Sequence, residues 1–115
     1  NMTNKEYIIC AAIWYQDGVV RASQPRNVES GIVVGGWRHF NCIITLKTMF
    51  YDVWQECERC NKKRIDVLNN DIQGFLTSRG NFVDRVEGLK IAKENNQLLH
   101  PDTHRGTDLY SEDLY

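Results

Sequence analysis

The sequence predicts an α+β domain, in which a small antiparallel β-sheet packs against two main α-helices. Short apolar segments separated by turn residues fill the first third, a helical repeat of apolar residues follows from Phe40, and a capping pattern at Asp84 precedes a second helical stretch. The chain has 115 residues, of which 42% are hydrophobic. This length suits one core. We therefore expect a single domain over residues 2–115, with Asn1 as a tag remnant before Met2.

The first segments have the composition of β-strands. Lys5–Tyr15 is rich in isoleucine, tyrosine and tryptophan, and Asp17-Gly18 then supplies turn residues before Val19–Ala22. This pattern predicts a hairpin. Gly31–Val34 predicts a third short strand, which the glycine pair Gly35-Gly36 should end.

A first amphipathic helix is expected from Phe40 onward. Its apolar side chains recur three and four residues apart, which is the spacing of one helical face. They are Phe40, Ile43, Leu46, Phe50, Val53 and Cys57. The polar segment Cys60–Arg64 should end this helix.

The second half predicts one more strand and one more helix. Ile72–Ser78 has strand composition, and Asp84 followed by Glu87 has the form of a helix capping box. The second helix should therefore run from about Arg85 to Gln97. Leu109–Tyr115 remains as a short tail, which is expected to dock on a pocket or on a partner.

Charge and hydropathy exclude several classes of partner. The formal net charge is −1, from 14 lysines and arginines against 15 acidic residues, so no general field attracts DNA or RNA polymers. The apolar run Tyr7–Tyr15 has about nine residues, far fewer than the roughly 20 needed to cross a bilayer. No signal peptide is evident either. We expect a cytosolic protein with no membrane partner.

Four possible zinc ligands, His39, Cys42, Cys57 and Cys60, occur in two pairs. On one continuous helix, Cys42 and Cys57 would be about 22 Å apart at roughly 1.5 Å per residue. One zinc ion, with ligands at about 2.3 Å, cannot bridge that distance within a subunit. We expect structural cysteines, no metal and no cofactor, with redox chemistry or a metal shared between subunits as the alternatives.

The stretch Gln73–Arg85 is the strongest candidate for a ligand site. Phe75 and Phe82 flank Thr77 and a segment containing serine, arginine, glycine and asparagine. A base stacked on an aromatic ring, with hydroxyls and arginine near ribose and phosphate, would fit this composition. The alternative for either phenylalanine alone is a position in the core. Arg85 opposes the dipole at the start of the second helix unless an anion or acid lies nearby.

Further candidates lie where a strand gives way to the first helix and in the tail. Arg38 follows the glycine pair at a helix start, where backbone amides and arginine together hold phosphates. His39 is assigned to binding before catalysis because no adjacent nucleophile accompanies it. Arg21 is expected to complete a cationic pocket, and Asp113 to accept a hydrogen bond from a ribose hydroxyl or a base amine.

Four segments together resemble small phage proteins of the first-described Thoeris anti-defense family. They are Gly35–Asn41, Gln73–Ser78, Asn81–Arg85 and Leu109–Tyr115. The resemblance implies a sponge for a cyclic ADP-ribose isomer, glycocyclic ADP-ribose, which is the signal of bacterial Thoeris immunity. Such a protein sequesters the signal without cleaving it. It also implies a location in the cytoplasm of the infected or lysogenic bacterial host.

The resemblance also implies roles for individual residues and an assembly. By matching motif positions, base stacking falls to Phe75, phosphate contacts fall to Arg21, Arg38 and Arg85, and polar contacts fall to Thr77 and Asp113. The family implies a homo-oligomer, a dimer or a hexamer. It further implies capture of cyclic oligonucleotide signals of CBASS at a separate site, which the sequence does not locate.

We expect no enzyme activity because no convincing catalytic set accompanies the aromatic and arginine-rich stretch. One alternative is a phosphodiesterase-like enzyme that degrades the same nucleotide, with His39 and either Glu112 or Asp113 as acid and base. A second alternative is a phage regulatory protein that binds a host protein through its tail.

Overall fold

The computed structural model describes residues 5–49 and 71–115. In chain order, its elements are β1 (Ile8–Tyr15), β2 (Ile32–Gly36), α1 (His39–Met49), β3 (Asp71–Thr77), β4 (Phe82–Asp84), α2 (Arg85–Glu94) and a 3-10 helix (Ser111–Asp113).

The four strands form one antiparallel sheet in the order β2-β1-β3-β4. Strand β1 is central, and its residue Ala11 lies opposite Gly36 on one side and Phe75 on the other. A shift in register between Ile8 and Cys10 leaves Ile9 exposed. The α+β architecture predicted from the sequence is confirmed.

The predicted hairpin between β1 and Val19–Ala22 is wrong, because β1 pairs with Ile32–Gly36 instead. Asp17 accounts for the difference. Its Oδ1 accepts a hydrogen bond from the Val19 amide at 3.0 Å, and its carboxylate binds the Arg21 guanidinium at 2.6 Å. These local bonds offer the backbone an alternative to a strand ladder. The segment therefore forms a loop.

Several predicted boundaries also shift. Strand β2 continues through the glycine pair, and the short strand β4 was not predicted because only three residues form it. Helix α2 stops at Glu94, three residues earlier than expected, since Asn95 caps it and Asn96 has a positive φ of 54°. The predicted continuation of α1 to Cys57, like Cys60, lies outside the described residues.

Both faces of the sheet are covered. On one face, Ala11 and Phe75 pack under α2 with Leu89, while Ile13 packs under α1 with Cys42. On the other face, the loop between β1 and β2 covers a cluster formed by Ala12, Val28 and Phe82. Strand β1 is therefore buried on both sides, which explains why small alanines suit its centre.

In the described part of the chain, helix α1 covers 11 residues and helix α2 covers 10. Within residues 5–49 and 71–115, no helix combines the length and apolar character needed to span a membrane.

Substitution of Gly74 tests how closely β3 packs against β4. A Cβ atom there would lie 2.0 Å from the backbone oxygen of Val83, which cannot move without breaking the ladder. Gly74→Ala should lower the free energy of unfolding by about 2 kcal/mol or more in urea titrations.

Gly35→Ala is the matched control. Its added Cβ would lie 3.1 and 3.2 Å from the side chains of Leu76 and Cys10, which need to shift only slightly, and 3.8 Å from the Ala11 carbonyl oxygen, an ordinary contact. We expect a loss below about 1.5 kcal/mol. Equal losses in the two variants would contradict this account of the sheet.

Candidate ligand-binding site

Leu109 anchors the C-terminal tail to the start of α2. Its side chain is fully buried in the same cluster as Phe75 and Leu89. Its amide donates to the carbonyl oxygen of Arg85 at 2.9 Å, and the Arg85 guanidinium donates back to the Leu109 carbonyl at 2.8 Å. Both chain segments are therefore held together by apolar burial and by reciprocal hydrogen bonds.

Arg85 is surrounded by neutral groups. Besides the Leu109 carbonyl, its guanidinium donates to Oε1 of Gln73 at 2.5 Å and lies 4.5 Å from the centre of the Tyr110 ring. Among the residues that the structure describes, it forms no ion pair with a carboxylate. Because α2 begins at Arg85, the positive end of the helix dipole adds to its charge. The positive charge of Arg85 is therefore unfavourable at the start of α2, and neither Asp84 nor Glu112 forms an ion pair that offsets it.

Arg38 lies between two aromatic rings. Its Cζ is 4.7 Å from the centre of the Trp37 ring and 5.1 Å from that of Tyr115, and these two rings stack with centroids 6.3 Å apart. The guanidinium donates to the backbone oxygen of Tyr115 at 2.5 Å and to Oγ of Ser111 at 3.3 Å. The exposed carboxylate of Glu112 is 3.8 Å away. Such an exposed pair adds little stability.

The sheet brings the two arginines to one corner of the molecule. His39, next to Arg38, contacts the carbonyl of Gly74, and Gly74 lies opposite Asp84, next to Arg85. Both arginines also bind the tail. We call the set Trp37, Arg38, Arg85, Tyr110 and Tyr115 the arginine corner.

His39 is buried beneath this corner. Its Nε2 lies 2.8 Å from the Gly74 carbonyl, which can only accept, so Nε2 carries the proton. The ring meets Phe75 edge to face, with centroids 5.2 Å apart. Burial lowers the pKa of His39 below its usual value, although the Gly74 hydrogen bond opposes that shift. The neutral imidazole therefore joins α1 to β3.

The two phenylalanines predicted to stack on a base are core residues in this structure. Phe75 has no exposed surface, and Phe82 is only 6% exposed and packs edge to face on Trp14. Neither ring presents a face to solvent. The burial of both rings supports the alternative given in the sequence analysis, in which each phenylalanine is a core residue.

Thr77 and Arg21 lie away from the arginine corner. The Thr77 hydroxyl donates to Glu6 at 2.6 Å, and this bond, with a second from Asn81, lowers the pKa of Glu6. Arg21 is held by Asp17, whose pKa its hydrogen bonds lower. Both side chains therefore already have strong partners within the chain.

Asp113 lies in the 3-10 helix, beside Tyr110. Its Oδ2 accepts from the Tyr110 amide at 2.9 Å and lies 3.3 Å from Nε2 of His104. The His104 side chain is 7% exposed, and its Nδ1 has no partner among the described residues. A cavity of about 240 Å³ adjoins this pair, lined by Leu98, His100, Thr103, His104, Arg105, Tyr110 and Asp113.

The sequence did not identify three contacts of the corner. Gln73 binds Arg85, and the rings of Tyr110 and Tyr115 cover the two guanidiniums. The only feature of the sequence that pointed to these contacts was the presence of two tyrosines in the seven-residue tail Leu109–Tyr115. Their partners depend on the path of the tail across the sheet.

Two of the four possible zinc ligands, His39 and Cys42, lie in the described part of the chain. Residues 5–49 and 71–115 contain no group of three or more histidine, cysteine, aspartate or glutamate side chains placed to bind an ion. Cys10 and Cys42 are free thiols, and burial raises the pKa of Cys42 to about 11. The expected role of Cys42 as a structural residue agrees with its buried position.

Comparison with known proteins identifies the family. The family model described as phage T4 y16D protein matches residues 7–115, which is nearly the whole chain. The chain belongs to the phage T4 y16D family. No curated protein and no solved structure matches it significantly. The match establishes a phage protein, in agreement with the phage origin that the sequence resemblance implied, and leaves the ligand to be proposed.

His39 should make stability depend on pH. Because its folded-state pKa lies below the unfolded value of about 6.5, the unfolded chain binds a proton first as the pH falls. The stabilisation is present above that pH and is lost on acidification. The free energy of unfolding should therefore decrease between about pH 7 and pH 5 more steeply in the unmodified protein than in His39→Gln.

The glutamine keeps a donor for Gly74 but does not titrate. Urea unfolding at each pH measures both slopes, and the contribution of Asp71, whose pKa burial raises to about 6, is common to the two proteins. Parallel pH profiles would show that His39 is not the titrating group.

Proposed function

We propose that this phage protein is an anti-defense sponge, which binds the cyclic ADP-ribose isomer signal of bacterial Thoeris immunity and holds it intact in the host cytoplasm. The arginine corner would bind the ligand. Its pairing of two guanidiniums with aromatic rings suits a pyrophosphate that carries an adenine base. The phage family and the resemblance of the four sequence segments support the same proposal.

The environment of Arg85 gives the strongest support for a phosphate-binding site. Its hydrogen-bond partners are a carbonyl and an amide oxygen, so its charge is not neutralised by a carboxylate of the described residues. A phosphate would meet this charge and the positive end of α2 together. Phosphate oxygens are stronger acceptors for guanidinium than the neutral groups they would replace.

Base stacking would fall to the exposed rings of the corner. Trp37 is 65% exposed and Tyr110 is 47% exposed, whereas Phe75 is completely buried. Stacking on an aromatic ring contributes about 1–3 kcal/mol per base in other proteins. We therefore transfer the stacking role proposed for Phe75 to Trp37 or Tyr110, and leave Phe75 to support the corner from below.

Binding without turnover fits the position of His39. Its Nε2 proton is donated to Gly74, and among the described residues no hydrogen bond joins His39 to Asp113 or Glu112, although the charge of Glu112 acts on His39. An enzyme remains the second candidate on a different observation. His104 and Asp113 lie 3.3 Å apart beside a cavity, although the same Nε2 of His104 also lies 3.2 Å from the Asp108 carbonyl.

The fate of the ligand separates these functions. The protein is incubated with glycocyclic ADP-ribose, freed of unbound ligand by gel filtration and denatured, and the released molecule is identified by mass spectrometry. We expect intact ligand in stoichiometric amount. Release of a cleaved product would favour the enzyme, and the absence of any bound nucleotide would favour a regulatory protein with a host partner.

Substitution of the two arginines tests the site. Arg85→Gln and Arg38→Gln should each weaken binding about 10- to 100-fold in calorimetry, because each removes charge-assisted hydrogen bonds to phosphate. Adenosine, which lacks phosphate, should bind both variants as weakly as it binds the unmodified protein.

Arg105→Gln is the control, since Arg105 is exposed and, among the described residues, donates to backbone carbonyls of its own loop. It should retain full affinity. Thermal melting of all three variants shows whether the fold is kept. Affinity that survives both corner substitutions in folded protein would place the ligand elsewhere.

A further inference from the structure

A second concave surface lies on the opposite face of the sheet, away from the helices. It has a volume of about 400 Å³, within the range of small-molecule sites. The register shift in β1 leaves the Ile9 side chain exposed there. We call it the sheet groove, and it is lined by Ile9, Ser23, Gln24, Pro25, Arg26, Val33, Leu76, Thr77 and Gly80.

The walls of the sheet groove are held in fixed positions. The amide of Arg26 donates to the carbonyl of Gly80 at 2.7 Å, and Oε1 of Gln24 accepts from the Val33 amide at 2.8 Å. Ser23 has a positive φ of 63°, which is unusual for a residue with a side chain. Strain of this kind is retained only where the surrounding contacts impose it. The loop is therefore organised before any ligand arrives.

Ile9, Val33 and Leu76 form the apolar floor of the sheet groove, and hydrogen-bond donors without a partner border it. Neither the Ser23 hydroxyl nor Nε2 of Gln24 has a partner among the described residues, and the Arg26 side chain makes one hydrogen bond, of 3.2 Å, to the carbonyl of Arg79. Donors without acceptors favour a ligand that supplies acceptors.

The local charge is consistent with an anion. Arg26 forms no ion pair with an acid of the described residues, and Arg79 stands at the same end of the sheet. Glu6 interacts with both arginines and keeps its negative charge, because hydrogen bonds from Thr77 and Asn81 lower its pKa, so it offsets part of this positive charge. A guanidinium beside an apolar floor binds a carboxylate whose remainder is apolar.

We propose that the sheet groove is a second small-molecule site, and that it takes a compact apolar carboxylate. The apolar body lies on Ile9, Val33 and Leu76, and the carboxylate accepts from Arg26 and Ser23. This site is independent of the arginine corner, because the two lie on different elements and share no residue.

Three probes separate charge from apolar contact. Two-dimensional NMR of the full chain, labelled with ¹⁵N, is recorded with 2-naphthoate, with its neutral amide 2-naphthamide, and with acetate. Naphthoate should shift the amide signals of Ile9, Ser23–Arg26 and Thr77–Gly80. The neutral amide, which lacks the charge, should bind at least about tenfold more weakly, and acetate should leave the signals in place.

Two variants complete the test. Arg26→Gln should reduce the affinity for naphthoate to that for naphthamide, and Ser23→Gly should weaken it while easing the positive φ. Arg105→Gln should leave it unchanged. If Arg26→Gln lowers the melting temperature, the Ser23→Gly variant and the naphthamide comparison decide the result.

Equal binding of naphthoate and naphthamide would overturn the proposal, as would shifts confined to the exposed apolar residues Trp37, Phe40 and Ile44. Retention of glycocyclic ADP-ribose should be unaffected by Arg26→Gln. Failure at the sheet groove is therefore distinguishable from failure at the arginine corner.

Discussion

The attachment of the tail at Leu109 is the constraint on which the candidate site depends. A fully buried leucine side chain and two reciprocal hydrogen bonds with Arg85 hold residue 109 against the start of α2. Residues 110–115 then cross the arginine corner, where Arg38 binds the backbone oxygen of Tyr115. Burial of one apolar side chain thus positions two aromatic rings over two guanidiniums.

Close packing beneath the corner explains why its support is rigid. Gly74 allows β4 to approach β3, and a Cβ atom on Gly88 would lie 3.1 Å from Phe75 and 3.3 Å from Leu109. The Phe75 ring fills the remaining space and meets His39 at its edge. An interior of this density transmits a change in one side chain to its neighbours. The arginines therefore rest on groups that have little freedom to move.

The electrostatics of the corner follow from the same packing. Burial disfavours a charged His39, so the positive charge near the surface belongs to Arg38 and Arg85. Glu112 offsets part of it, but this carboxylate is exposed and 3.8 Å from Arg38. The corner thus keeps positive charge, which the proposed anionic ligand would meet. The sheet groove has a different character, with one guanidinium over an apolar floor.

The sequence by itself determined the α+β class, the strand that becomes β1, the start of α2 at the Asp84 cap and two candidates, Arg38 and Arg85, that lie in the arginine corner, although it also grouped Arg21 with them. These features follow from local patterns: the cap, for example, needs only the Asp84 carboxylate and the Glu87 amide, 2.8 Å apart. Tertiary structure decided strand pairing, because β1 pairs with the distant segment Ile32–Gly36 where a hairpin with Val19–Ala22 was expected. It also decided which aromatic rings face solvent. Phe75, the stacking residue that the sequence proposed, is buried by long-range packing with Leu89 and Leu109, whereas Tyr110, which the sequence did not identify, is exposed.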